Sequence, residues 1–502
     1  ERPMTYVMAL DQGTSSSRAI IYNNAGEVVG TAQQTFDSVY PQDGWVEQDP
    51  NTIWQSILQV GRDAIKASSL EASQIKAIGI TNQRETTLLW DRQSDECLYN
   101  AIVWQDRRGA ERCLEMAGEQ LKDGRDLATA INQITGLIID PYFSSTKLAW
   151  LLSDVPQARV KAEAGELCFG TVDSFLIWKL TKGARHVTDA TNASRTQLFD
   201  ITANQWSSEL ADYFAIPLGI LPEVHDCVAE FGIADAAWFG AEIPILGVAG
   251  DQQAALIGQA CFKPGMSKST YGTGCFVMTH TGAQVRYSKK NLLATIAYRI
   301  DGQTSYALEG SIFVAGQAVK WLRDQMGLIE HASDTQAAYE RTEGDAQGVY
   351  VVPGFTGLGA PHWRPDVRGL ITGLTLNSDK NHIITAFLQS VAFQTETLLS
   401  LMAEEGAPVD TLRVDGGMVV NEALCQFLSD ILQVTVERPA DIETTAKGAG
   451  VLAAIGCGVL KDLEDAATHW RLDKCFQPAM TDAVRGQLLK GYNHALSQAL
   501  SA

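Results

Sequence analysis

The chain has 502 residues, 45% hydrophobic and 20% charged, an ordinary composition for globular domains and long enough for about two to four of them. A net charge of -20 argues against a broad nucleic-acid or anionic-membrane surface, so an anionic ligand must be met by locally placed cations and N–H groups. Nine scattered cysteines without a C-x-x-C pair read as reduced cytosolic thiols, eight histidines without H-x-x-x-H spacing give no zinc site, and no apolar stretch approaches the roughly 20 residues that span a bilayer.

An apolar run, Val7-Met8-Ala9-Leu10, leads into Asp11-Gln12-Gly13-Thr14-Ser15-Ser16-Ser17-Arg18, and a second, Ala19-Ile20-Ile21-Tyr22, leaves it. Asp11 interrupts the first run, which argues against a signal peptide. The pattern predicts strands over 6–11, 18–22 and 27–33, with Asn23-Asn24-Ala25-Gly26 as a hairpin turn. A tight bend rich in N–H groups and hydroxyls is a concavity for anions, and a carboxylate at its mouth suits a metal ion beside a phosphate. The next segment, 50–67, has helical spacing, with Ile53, Trp54, Ile57, Leu58 and Val60 along one side. Strands are predicted over 75–81, 167–172 and 245–249, the first ending in Asn82-Gln83-Arg84-Glu85. Strands alternating with helices imply an α/β protein with ligands at the strand ends.

The second half repeats the opening device. Ser269-Thr270-Tyr271-Gly272-Thr273-Gly274 precedes the apolar Cys275-Phe276-Val277-Met278, so two Gly-Thr turns lie about half a chain apart. Two such units predict two related domains facing one cleft, joined by a packed hinge near 250–260. A third glycine site, Leu412-Arg413-Val414-Asp415-Gly416-Gly417-Met418, lets a ring or phosphate approach the backbone, with Asn421 close behind. The chain contains no Gly-Lys dipeptide, which excludes a Walker P-loop. Gly448-Ala449-Gly450-Val451-Leu452-Ala453 follows a polar stretch, not a strand, and reads as a close-packed helix start.

In their order along nearly the whole chain, these segments resemble the FGGY carbohydrate kinase family of the sugar-kinase/actin/chaperone-ATPase superfamily. Leu10 to Thr14, Tyr271 to Gly274 and Val414 to Gly417 carry the superfamily likeness. Ile80 to Thr86, Asp140-Pro141-Tyr142-Phe143-Ser144, Gly250 to Ala255 and Gly369 to Leu374 narrow it to the family. The resemblance implies two ribonuclease-H-like (actin-like ATPase) α/β domains, residues 4–255 for polyol and phosphate and 256–502 for nucleotide. It further implies ATP-dependent phosphorylation of glycerol to sn-glycerol 3-phosphate in the cytoplasm, with Mg²⁺, and a homodimer or homotetramer.

Residue by residue, the resemblance implies that Asp11 orients Mg²⁺, that Thr14, Ser15, Ser16 and Arg18 meet the phosphates from one domain and Thr273 from the other, and that Gly316, Gly417 and Asn421 line the nucleotide pocket. Asp251, after the apolar run 245–249, is the expected general base for a hydroxyl nucleophile. Arg84, Glu85, Tyr142 and Gln252 would hold the polyol, with Trp104 and Phe276 as an apolar wall. Neighbours on a regular strand face oppositely, so the pairing of Arg84 with Glu85 requires the strand to end near Asn82. Phe387 stands where the family's second signature prefers a smaller residue, a packing change, and Lys320 falls on a helix predicted over 315–323. Glu242 and Ala237 occupy places where some family members carry regulatory side chains, so neither control is expected. Two rival readings remain: a kinase for another polyol or ketopentose, and a superfamily ATPase without a small acceptor.

Overall fold

A computed structural model describes residues 3–502. The N-terminal part is built on β1 (Tyr6–Gln12), β2 (Ser16–Tyr22), β3 (Val28–Thr35), α1 (Pro50–Ser68), β4 (Ile75–Asn82), β5 (Ile233–Ala234) and β6 (Ile243–Gly250), followed by α2 (Asp251–Gly258). Its six-stranded sheet runs β5-β6-β4-β1-β2-β3. β1 to β3 are antiparallel, and β4 and β6 add in parallel beside β1.

The C-terminal part contains β7 (Ser267–Tyr271), β8 (Cys275–Gly282), β9 (Leu293–Ile300), β10 (Gln303–Ile312), α3 (Gly316–Asp324), β11 (Thr411–Asp415), α4 (Glu422–Leu432), β12 (Thr435–Pro439), α5 (Thr444–Gly456) and β13 (Leu472–Phe476). Its sheet runs β9-β10-β8-β7-β11-β12-β13. β7 pairs antiparallel with β8 and parallel with β11, as β1 does with β2 and β4. The two sheets therefore repeat one plan, and each presents its first hairpin turn, at Gly13-Thr14 or Gly272-Thr273, beside a parallel strand end.

Strand alternation explains the layering. Met8 and Leu10 of β1 enter one core with α1 residues Ile53, Trp54 and Ile57. Val7 and Ala9 enter another with Ala446, Ala449 and Leu452 of α5. That second core joins the halves, because α5 belongs to the C-terminal part and packs on β1, β4 and β6. Small residues permit the approach: a Cβ on Gly448 would stand 1.8 Å from the Ala254 carbonyl oxygen, and one on Gly79 2.0 Å from that of Ala449. The glycine-rich stretch thus lies inside α5, which begins four residues earlier, and is not a helix start.

Other boundaries differ by a few residues. The strand expected over 167–172 ends at Gly170, and Val172 already begins a helix. Behind Gly417 a 3₁₀ turn, Gly417–Val420, comes first, and α4 starts at Glu422. Phe387 is buried against Trp321 and Phe355. The described cysteines are free, and no described helix is long and apolar enough to cross a membrane.

Candidate active site

β4 ends at Asn82, and the chain turns out of the sheet with Glu85 in the left-handed region at φ 60°. This turn brings Arg84 and Glu85 to the same side, as the expected pairing requires. Arg84 is buried among acceptors. Its Nη1 donates to Glu309 Oε1 at 2.6 Å and its Nη2 to the Tyr142 hydroxyl at 3.2 Å. Its Nε lies 3.4 Å from Asp251 Oδ1 and 3.8 Å from Glu85 Oε2.

Arg195 completes the cluster, donating from Nε to Glu85 Oε2 and from Nη2 to Glu309 Oε2, each at 2.6 Å. Glu309, on β10, is therefore a carboxylate from the C-terminal part that holds two arginines of the N-terminal part. Burial pushes its carboxyl up, but Arg195 and Arg84 outweigh that and hold it at about 2. Neither Arg195 nor Glu309 was expected from the sequence. A lone Glu in the apolar run Ala307-Leu308-Glu309-Gly310 is a usable signal; Arg195 offers none.

Asp251 opens α2 immediately after β6, and a quarter of its side chain faces open space. Burial raises its carboxyl to about 6, against the opposing pull of Arg84. Its Oδ1 accepts from the Gln252 backbone N–H at 2.8 Å, a contact to the adjacent residue, while the N-cap of α2 is Gly250. Gln252 follows with its Oε1 bound to Lys268. Trp104 forms edge contacts with Tyr142 and Phe276, at centroid distances of 5.9 and 5.7 Å, and Arg84 lies over the Phe276 ring at 5.4 Å. Phe313, also unforeseen, closes the same aromatic group against Tyr142 at 5.0 Å. The expected acceptor residues are thus brought together.

The expected nucleotide residues divide. Ser15, Ser16, Thr273, Gly316, Gly417 and Asn421 line one cavity of about 710 Å³ between the two hairpin turns, with Lys320 on its wall beside Asp37 at 3.5 Å. Gly316 is needed where it stands, because a Cβ there would lie 2.5 Å from the Gly272 carbonyl oxygen. Thr14 and Arg18 are engaged elsewhere. The Thr14 hydroxyl accepts from Trp104 Nε1 at 2.8 Å, and Arg18 pairs with Glu443 ahead of α5.

Two observations bear on the ligands this arrangement suits. Burial lifts the Asp11 carboxyl to about 7, despite Arg18, and among the described residues no donor reaches it. A half-buried, unpaired carboxylate beside a phosphate-type turn fits a divalent cation. The Asn421 side chain caps α4 through Oδ1 and leaves its buried Nδ2 without a partner, a donor suited to a nucleotide in the adjoining cavity.

Repeated sheets, two facing phosphate-type turns and a carboxylate-arginine acceptor cluster define a sugar-kinase-like phosphotransferase. Residues 6–258 match the N-terminal domain of the FGGY family of carbohydrate kinases and residues 268–457 its C-terminal domain; the chain belongs to that family. It is 54% identical over 498 residues to glycerol kinase 1 of Pseudomonas aeruginosa and 56% identical over 497 to the glycerol kinase of Ectopseudomonas mendocina, with 99% of each chain covered. Among solved structures, Plasmodium falciparum glycerol kinase with ADP superposes with a TM-score of 0.83 at 36% identity, covering 99% of this chain and 98% of the other. A ligand-bound xylulose kinase from Lactobacillus acidophilus, at 21% identity and a TM-score of 0.82, shares the fold.

Proposed function

We propose that the protein phosphorylates glycerol at the expense of ATP, giving sn-glycerol 3-phosphate and ADP. The observation that carries this reading is the contact between Trp104 and Thr14, which sets the wall of the acceptor cluster directly on the first phosphate turn. The curated relatives that share more than half their residues with this chain are glycerol kinases, which supports a triol as the acceptor.

Arg84 and Glu85 offer a fixed donor and acceptor to neighbouring hydroxyls, and Trp104 and Phe276 cover the C–H face. Asp251 accepts the hydroxyl proton as the oxygen bonds to phosphorus and the bond to the ADP oxygen breaks; solvent later takes that proton. Ser15, Ser16 and Thr273 hold phosphate oxygens from facing turns, and Gly316, Gly417 and Asn421 receive the nucleoside. Asp11 holds magnesium, which when bound offsets charge on the phosphates. Arg18 joins the phosphate contacts on leaving Glu443.

An assay of ADP release across glycerol, xylulose and no acceptor tests the reading. The expected order is fast turnover with glycerol and slow turnover with the other two. Equal rates with and without acceptor indicate an ATPase, and a preference for xylulose indicates a ketopentose kinase.

A further inference from the structure

We propose that Lys268 is a positioning residue for phosphoryl transfer: its ammonium locks the Gln252 amide in one orientation and sets a fixed positive charge beside Asp251. The proposal rests on the reading of Asp251 as the base.

Lys268 sits on β7, four residues before the turn at Gly272-Thr273, and is fully buried. Its Nζ donates to Gln252 Oε1 at 2.6 Å, to Thr270 Oγ1 at 2.9 Å and to the Phe276 carbonyl at 3.3 Å. Three protons thus meet three neutral acceptors. The contacts tie the first turn of α2, which carries Asp251, to the hairpin that carries Thr273 and Phe276.

An ammonium only donates, so the Gln252 oxygen must face Lys268 and the amide NH₂ must face away. Among the described residues nothing accepts from that NH₂ group. It remains available to an acceptor hydroxyl beside Asp251. The Gln259 amide donates to the buried Asp415 carboxylate at 2.9 Å, and Thr270 is the register partner of Asp415, which precedes Gly416 and Gly417. Lys268 therefore links the acceptor segment, through Gln252, to the strand that pairs with the nucleotide segment at Thr270 and Asp415.

Burying a cation is costly, and an apolar residue would fill a purely structural position at lower cost. Burial drives the Lys268 ammonium down to about 8, while Asp415, Glu309 and Asp251 support its charged form and Arg84 opposes it. Around Asp251 the charged groups are Arg84, Glu85 and Lys268, with Asp11 across the cleft. Taking away Lys268 removes one of the two cations that favour the Asp251 carboxylate.

The test compares Lys268→Met, Lys268→Arg and Asp251→Asn in the full-length enzyme. The pH profile of kcat/KM for glycerol is read alongside ADP affinity by calorimetry. Lys268→Met is expected to raise the glycerol KM and to move the acid limb upward by about half a pH unit or more, because losing a neighbouring cation raises a carboxylate pKa. Lys268→Arg is expected to return the limb to its wild-type position, and ADP affinity is expected to stay within about twofold in both. An unmoved limb and unchanged glycerol KM in a folded Lys268→Met enzyme overturn the proposal. If Lys268→Met does not fold, Gln252→Leu replaces it: a raised glycerol KM supports the proposal, and a wild-type KM overturns it. Full turnover in Asp251→Asn removes the base reading instead, which separates the two failures.

Discussion

The Trp104 indole nitrogen donates to the Thr14 hydroxyl at 2.8 Å, so the wall of the acceptor cluster and the first phosphate turn move as one piece. Trp104→Phe keeps the aromatic face and removes only the donor. We expect kcat/KM for glycerol to fall about 10- to 100-fold, since a hydroxyl left unpaired relaxes the turn that positions the two reactants. The KM for ATP is expected to change less. Steady-state kinetics with each substrate varied in turn check this; wild-type kcat/KM for glycerol would remove the coupling.

How much of this site is legible in the sequence follows from how local each signal is. Asp11 to Arg18 and Gly272 to Gly274 are readable because a hairpin turn is built from consecutive residues, and turn chemistry shows in composition. Asp251 is readable as the polar residue that ends an apolar strand. Glu309 and Arg195 are not, because their meaning lies in partners far along the chain: Arg84 and Glu309 are 225 residues apart. Nor does local pattern show that α5 crosses to the other sheet. Its Gly-Ala composition signals close packing, but only the fold identifies Ala254 and Gly79 as what it packs against.

Asp251→Asn is expected to lower kcat by about 10²–10⁴ and to leave ADP binding largely intact. The wild-type enzyme supplies an independent check. Burial sets the Asp251 carboxyl near 6, and a base works only when deprotonated, so kcat/KM is expected to decline as pH falls through about 6. Measurement of the profile between pH 5 and 8 decides it. A flat profile across that range would falsify the assignment of Asp251 as the titrating base.

Asp11 carries a stability cost with a definite sign. Its carboxyl has an ordinary value of 3.8 and rises to about 7 in the fold because burial disfavours the charge. Between those values the folded protein binds a proton that the unfolded chain does not, so stability falls as pH rises through the window and the full penalty is present above about 7. Asp11→Asn removes the ionisation. The ligand-free variant is expected to melt above the wild type at pH 8, with the gap narrowing toward pH 4. Magnesium with ADP is expected to raise the wild-type Tm and to raise that of the variant much less. Thermal unfolding with and without ligands checks both; equal metal-dependent shifts would end the proposed role of Asp11.

A pair of glycine substitutions tests the seam between the halves. In a helix interior, Gly→Ala alone gains about 0.5–1 kcal/mol from backbone entropy. Gly486 is exposed on the helix Asp482–Ser501, and a Cβ added there would meet nothing within 4 Å, so Gly486→Ala is expected to stabilise by that amount. Gly448, inside α5, would place its Cβ 1.8 Å from the Ala254 carbonyl oxygen, and backbone on both sides must shift to admit it. Overpacking of this kind costs about 1–3 kcal/mol, occasionally more, which exceeds the propensity gain. Gly448→Ala is therefore expected to destabilise although it improves helix propensity, and to lower kcat as well, because α2, which carries Asp251, lies on the other side of the contact. Urea unfolding of both variants reads the sign directly. A stabilised Gly448→Ala protein would mean that α2 and α5 can separate freely, and the two halves would then not be joined by a tightly packed seam.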